Sequence, residues 1–334
     1  MNELIHPLIC VDTGTTNTRV WFTDGDKVIA QARASVGVRD TARDGSPARL
    51  HETLRDLIAA VRNGQPAPHA VLAAGMITSP LGLAEVPHVA APASLQDLIA
   101  GTQHHTFPHI TDIPVWLVPG VRSGPLECDA ETIGSADVMR GEETLCVGLA
   151  ARGLLPPASS LLNLGSHWKL IRLDEQSRIA ASVTSLSGEL IHTTQTQTIL
   201  ASAVPPGKPA TLDEHWLQAG MREQRVAGLA RALFCVRLLE QRTATTAEQR
   251  MSFLLGVYLA VDLDALIRQG LLAAGQSVVL TGSGAIAAAW GLALRAAAMP
   301  VTQLSEAEVE HGFLTGLCNI GKGCGGLPPV RQSC

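Results

Sequence analysis

Three short glycine-bearing stretches carry residue types that handle anions: VDTGTTNTR (11–19), NLGSHWK (163–169) and LTGSGA (280–285). In the first, Asp12 ends an apolar run. Gly14 would let the backbone approach an anion, while amides and hydroxyls of Thr15, Thr16 and Asn17 hold phosphate oxygens. A carboxylate at that point suits hydrated Mg²⁺, which keeps most of its waters, so Asp12 is the candidate metal residue. The stretch fits neither of the phosphate fingerprints that open a helix, since it has one glycine, no lysine, and apolar chain resuming after it. An ordinary turn with a capping aspartate uses the same residues. The second stretch repeats the grammar, with Gly165 and Ser166 as the cradle and His167 and Lys169 able to neutralise charge. Two such loops from paired lobes could pinch one polyphosphate between them. The competing reading of His167 is a satisfied turn histidine. Gly282, Ser283 and Gly284 form a strand-to-helix turn suited to the base or ribose of a nucleotide, although glycine turns before helices are common.

The densest ionic cluster is SADVMRGEET (135–144). Read as the start of a helix, Asp137 can accept the proton of an attacking hydroxyl, and Arg140 can pair with a substrate carboxylate or steady a transferring phosphate. Glu142 and Glu143 fall on the next turn, where they hold Arg140 or bind metal. A solvated, charged helix start has the same composition.

These stretches need elements to position them. LICV (8–11) reads as a buried strand, followed by two more strands joined at Asp24-Gly25-Asp26. Residues 46–64 carry apolar positions at helical spacing, with Ser46 and Pro47 at the start and Gly64 at the stop. AVLAAGM (70–76) is a strand, ITSPLGLAEVPHVAAPAS a loop region, ASLQDLIAG a short helix, and IPVWLVPGV (113–121) the last strand of the first half. The chain from about Asp137 is read as helical. From residue 160, strand, glycine loop, strand, turn and strand recur in the opening's order, which points to a duplication. Long helices over 213–240 and 246–274, a strand over 276–284, an alanine-rich helix and a final helix follow, then a Gly/Pro-rich tail expected to be mobile.

The whole chain narrows the class. Its 334 residues exceed what one core usually serves, so two domains with a cleft are expected. A content of 46% hydrophobic and 16% charged residues is that of a globular protein. A net charge of -5 with no basic block argues against nucleic acid or an anionic membrane surface and for a small-molecule partner. Seven scattered cysteines without CxxC pairs read as reduced thiols in a cytoplasmic protein. No apolar run reaches the roughly 20 residues a spanning helix needs. The oligomeric state is open, with a homodimer among the options.

An aspartate-glycine-threonine cradle, a second glycine cradle and then a glycine turn resemble, in that order, the actin, Hsp70 and sugar kinase superfamily. DTGTTNTRVW, AAGMITSPLG, VPGV, DVMRGEET, GSHWK, SGEL (187–190) and LTGSGA more narrowly resemble the 2-keto-3-deoxygalactonate kinase family. The resemblance implies an α/β, two-lobed actin-like ATPase (ribonuclease H-like) fold with a duplicated mixed sheet and an interlobe cleft. It divides the chain into an N-terminal lobe (1–136), a C-terminal lobe (137–304), a helix over 305–320 that packs back on the first lobe, and a tail (321–334). It implies ATP and Mg²⁺ as cofactors and phosphorylation of the terminal hydroxyl of a 2-keto-3-deoxy sugar acid. Asp137 would be the base. Arg140 and Arg19 would anchor the acid end, with Ser79, Glu142 and Glu189 as further pocket residues. The sequence departs from the family pattern at Thr13 and Leu83, where tryptophans are frequent, and at Trp168-Lys169-Leu170, where the order differs. Kinases of other sugar acids or of pantothenate, a polyphosphate-cleaving phosphatase and a nucleotide sensor are the alternatives.

Overall fold

The computed structural model describes residues 7–25 and 27–324. Asp26 and residues 325–334 lie outside them; of the tail expected over 321–334, residues 321–323 continue the final helix. The chain divides into two compact units. One holds the residues up to Pro157, Leu173–Ser182 and the chain from Val309; the other holds Ala158–Arg172 and Val183–Glu308. The first boundary thus falls at 157/158 where the sequence reading sets it at 136/137, and the final helix groups with the first unit.

In the first unit, strands β1 (Leu8–Thr13), β2 (Thr18–Asp24) and β3 (Lys27–Ala34) are followed by helices α1 (Val38–Asp44) and α2 (Ala48–Arg62). Then come β4 (Val71–Gly75), β5 (Val89–Ala90), α3 (Leu95–Gly101), β6 (Gln103–His105), β7 (Val115–Leu117), β8 (Val121–Ser123), β9 (Asp137–Met139) and α4 (Glu142–Ala151). The six-stranded sheet runs β3-β2-β1-β4-β7-β6. β1 and β4, buried along nearly their whole length, are the apolar runs a parallel centre requires, whereas β3 alternates between exposed and half-buried positions. The apolar stripe of α2, Leu50, Leu54, Leu57, Ile58 and Val61, closes one face of this sheet. A separate three-stranded sheet, β5-β8-β9, lies within sequence read as loop and helix.

The five-stranded sheet has β10 (Ser160–Leu164), β11 (Trp168–Leu173) and β12 (Ile179–Ser185), of which Leu173 and Ile179–Ser182 group with the first unit and the rest with the second. After them come α5 (Ser187–Gln197), α6 (Glu214–Ala227), α7 (Leu229–Arg242), α8 (Ala247–Arg268), β13 (Val278–Thr281), α9 (Gly284–Ala296) and β14 (Val301–Gln303). The chain ends in α10 (Glu306–Gly323). The sheet order β12-β11-β10-β13-β14 repeats β3-β2-β1-β4-β7 of the first unit. In both, an antiparallel hairpin is joined to a parallel strand beside its first member. This duplicated mixed sheet is that of the actin-like ATPase fold. One expected helix, 213–240, is two, broken at Gly228. α8 brings a nearly continuous buried run, Met251–Ala260, against the sheet and its neighbours. Among the described residues no helix is long and apolar enough to cross a membrane.

Candidate active site

The first glycine stretch is the tip of the β1–β2 hairpin: Thr13 pairs with Thr18 and Asp12 with Arg19 in register. Within the tip, the amide of Gly14 donates to the carbonyl of Asn17 at 2.8 Å. Thr15 and Thr16 are half-buried and Asn17 is exposed, so the tip faces solvent. It is braced from behind. The amides of Val38 and Arg39 donate to the carbonyls of Gly14 and Thr15, and a side chain at Gly37 would collide with the Thr15 carbonyl at 2.5 Å. Asp40 accepts from the Gly37 amide at 3.0 Å, and that bond holds its carboxyl below the usual carboxylate range. Sequence reasoning missed this brace, although a glycine followed three residues later by aspartate is helix-start spacing.

Asp12, with 17% of its side chain exposed, accepts from Arg19 at 2.5 Å. Arg19, expected at the acid end of a substrate, is the partner of Asp12 and lies 5.4 Å from the Trp21 ring centroid. On the other side of Asp12 stands Gly75, the end of β4. It has φ +88°, and a Cβ there would sit 2.5 Å from the Thr13 carbonyl and 3.1 Å from Asp12 Oδ1. Gly141, with φ +108°, brings its Cβ position to 3.3 Å from Gly75 Cα. Only glycine meets both the backbone angle and the spacing at these two positions. AAGMITSPLG and DVMRGEET, more than sixty residues apart in sequence, therefore meet beside Asp12.

Asp137 does not begin a helix. It opens strand β9, paired with Ser123 of β8, and the helix starts at Glu142 because the chain must first run out along β8 and turn at Gly141. Three residues, Val138, Met139 and Arg140, separate Asp137 from Gly141, at most about 13 Å of chain. Glu142 is half-buried in the first turn of α4, directly after the residue that touches Gly75. Glu143 is fully buried. Both its carboxylate oxygens accept from the Gly141 amide at 2.8 Å, and Thr144 donates to one of them at 3.1 Å. Burial, and then the charge of Glu142, push its carboxyl up to about 7.

Arg140 donates to Thr78 Oγ1 and to the Val86 carbonyl, both at 2.9 Å, and lies 3.4 Å from His88 Nδ1. Burial and the neighbouring guanidinium groups of Arg140 and Arg122 hold His88 down to about 4. A neutral ring is what the half-buried Arg140 can donate to. Ser79 is buried and donates to the Met76 carbonyl at 2.7 Å within its own turn.

In the second unit, Gly165, Ser166 and His167 form the tip of the β10–β11 hairpin, and the Gly165 amide donates to the His167 carbonyl at 3.2 Å, the counterpart of Gly14 and Asn17. His167 Nε2 lies 3.1 Å from Glu189 of α5, so Glu189 serves this tip. Lys169 is not on the tip. It lies on β11 opposite Asn163, 5% exposed, and its ammonium donates to Thr184 Oγ1 at 2.5 Å. The 282–284 turn joins β13 to α9, and the Cβ position of Gly282 is 2.9 Å from Leu164 Cβ, one residue before Gly165. Gly282 is half-buried, Ser283 and Gly284 are exposed, and the second and third stretches adjoin.

A family model described as 2-keto-3-deoxy-galactonokinase matches residues 12–320. A relative from Escherichia coli (strain K12), 2-dehydro-3-deoxygalactonokinase, is 26% identical over 93% of this chain and 96% of its own length. A second, from Rhizobium meliloti (strain 1021), bears the name Probable 2-dehydro-3-deoxygalactonokinase DgoK1 and is 30% identical over 91% and 94%. The crystal structure of "a putative 2-dehydro-3-deoxygalactonokinase protein from Sinorhizobium meliloti" superposes with a TM-score of 0.77 at 26% identity, covering 98% of this chain and 99% of that one.

Proposed function

The chain belongs to the 2-keto-3-deoxy-galactonokinase family, and from that premise we propose that it transfers the terminal phosphoryl group of ATP to the 6-hydroxyl of 2-keto-3-deoxygalactonate, a step of galactonate catabolism. It is a phosphotransferase with an alcohol acceptor. The observation that carries the residue assignment is the convergence of Asp12, Gly75 and Gly141, because it sets an acidic helix start beside a solvent-facing phosphate loop.

The tips at Gly14–Asn17 and Gly165–His167 bind phosphate oxygens through amides and hydroxyls, with His167 adding charge when protonated. Gly282, Ser283 and Gly284 pack against the nucleoside. Asp12 fits a hydrated Mg²⁺: it is a partly exposed carboxylate beside hydroxyl side chains, and its ion pair with Arg19 lies at the surface, where such pairs are weak. The metal would draw charge from the phosphates. Arg140, fixed by Thr78 and Val86, anchors the acid end of the sugar. Glu142 takes the proton of the attacking hydroxyl. It is preferred over Asp137 because it directly follows Gly141, and over Glu143 because Glu143 is sealed from solvent. Positioning supplies most of the rate, since phosphoryl transfer asks little covalent chemistry of the protein. ATP as donor fits a cytoplasmic location.

ADP release by the purified chain is expected to depend strictly on 2-keto-3-deoxygalactonate, measured beside its gluconate epimer. Glu142→Gln should lower kcat at least about a hundredfold, and Asp137→Asn by less than about tenfold. A reversed order of the two variants returns the base to Asp137. ADP formed without an acceptor indicates a phosphatase, and ATP bound without turnover a sensor; either outcome overturns the kinase reading.

A further inference from the structure

Asp262 is an acidic residue of α8 that none of the chemistry above uses. It lines a small cavity of about 50 Å³ in the second unit, together with Ser185, Gln269 and the indoles of Trp168 and Trp290. Burial pushes its carboxyl up. Its Oδ2 is buried without a hydrogen-bond partner, as are the Nε1 atoms of Trp168 and Trp290. A carboxyl in such surroundings is costly, and a hydrophobic residue would fill the space better.

Its other oxygen has a defined task. Oδ1 accepts from Ser185 Oγ at 3.0 Å. That hydroxyl accepts from the Ser187 amide at 3.1 Å and lies 2.8 Å from the Ser187 hydroxyl, which also hydrogen-bonds the Asp262 carboxylate. The chain therefore fixes the first residue of α5. The next residue, Gly188, lies so tightly on the second glycine tip that a Cβ would run into the Ser166 carbonyl, with the Gly165 carbonyl 3.2 Å away. One residue further, Glu189 meets His167.

We propose that Asp262, through Ser185 and Ser187, is the positioning residue of the Gly165–His167 phosphate tip. It touches no substrate. Its hydrogen bond removes the rotational freedom of Ser185, the Ser185 oxygen seats the start of α5, and α5 holds the tip at the height at which its backbone can meet phosphate oxygens. Such support is what sub-ångström placement of a binding loop requires. The inference rests on the reading of that tip as a phosphate loop.

The test uses the full chain and two probes read separately. Mg·ADP affinity is measured by calorimetry, and KM for ATP is measured apart from KM for the sugar acid. Ser185→Ala and Asp262→Ala are expected to weaken Mg·ADP about tenfold and to raise KM for ATP alike, leaving KM for the sugar acid within about twofold. Asp262→Asn, which keeps a carbonyl acceptor for Ser185, should restore most of the affinity. Ser187→Ala, the mildest change, should give a partial loss in a protein that melts like the parent. Unchanged Mg·ADP affinity in folded variants overturns the inference, and so does an equal loss for both substrates or a failure of Asp262→Asn to rescue. Wild-type protein that binds Mg·ADP but phosphorylates no sugar acid overturns the kinase reading alone, and the variants still decide the role of Asp262. Wild-type protein that binds no Mg·ADP overturns both.

Discussion

At the residue scale, Glu143 shows how a buried charge is tied to a turn. Its carboxylate holds the Gly141 amide, and Gly141 is the residue that leans on Gly75 beside Asp12. The folded protein raises its carboxyl from 4.5 to about 7, so between those values the folded state binds more protons than the unfolded one. Stability from this group is therefore complete below 4.5 and is lost as pH rises to about 7. The shift corresponds to about 3 kcal/mol. Glu143→Gln, which copies the protonated form and keeps one acceptor for Gly141, should match the parent at pH 5 and exceed it at pH 8. Urea unfolding at several pH values checks this. A parent protein with no decline between pH 5 and 8 would show that Glu143 is not held as described.

At the element scale, the site depends on helices that approach closer than side chains usually permit. A Cβ at Gly148 of α4 would run into the backbone carbonyl of Gly312 in α10, and one at Gly316 of α10 into that of Thr144. The α4 start, which carries Gly141 and Glu142, is set by that seam. The second unit repeats the device, with Gly220 of α6 against Phe253 and Gly256 of α8 against Leu217. Backbone cannot yield as a long side chain can, so Gly148→Ala should cost about 1–3 kcal/mol through overpacking and lower kcat as well. Thermal melts and the ADP assay measure the two effects. A variant as stable as the parent would mean that the seam relaxes at no cost.

At the scale of the whole molecule, the duplicated sheet gives each unit its own hairpin tip, so ligand binding should be legible as stability. Mg·ATP at a hundred times its dissociation constant should stabilise the folded chain by about 2.7 kcal/mol, seen as a melting shift of several degrees. Asp12→Asn should remove most of that shift while leaving the unliganded melt near the parent's. Two units need not unfold together, so the shift is read for each transition resolved. Identical melts with and without Mg·ATP would end the nucleotide reading.

The sequence by itself determined the duplication. A β-branched run, a glycine among hydroxyl residues and a hairpin partner are local patterns, so β1–β2 and β10–β11 and their tips could be read directly. The strand read from residue 160 begins there, at Ser160, since a short apolar run bounded by turns has few alternatives. What lay beyond local pattern was decided by tertiary structure. The stretch around Asp137 has helical composition, yet it forms an edge strand because β8 offers it a partner. Lys169 reads as a loop cation and is a buried sheet residue, paired with Asn163 as Arg19 is with Asp12. Nothing in the spacing of Gly75, Gly141 and Asp12, or of Ser185 and Asp262, announces that they meet. Such pairings follow from backbone approach and from hydrogen bonds between elements far apart in the chain. Periodicity records which face of an element is buried, but not what that face is buried against.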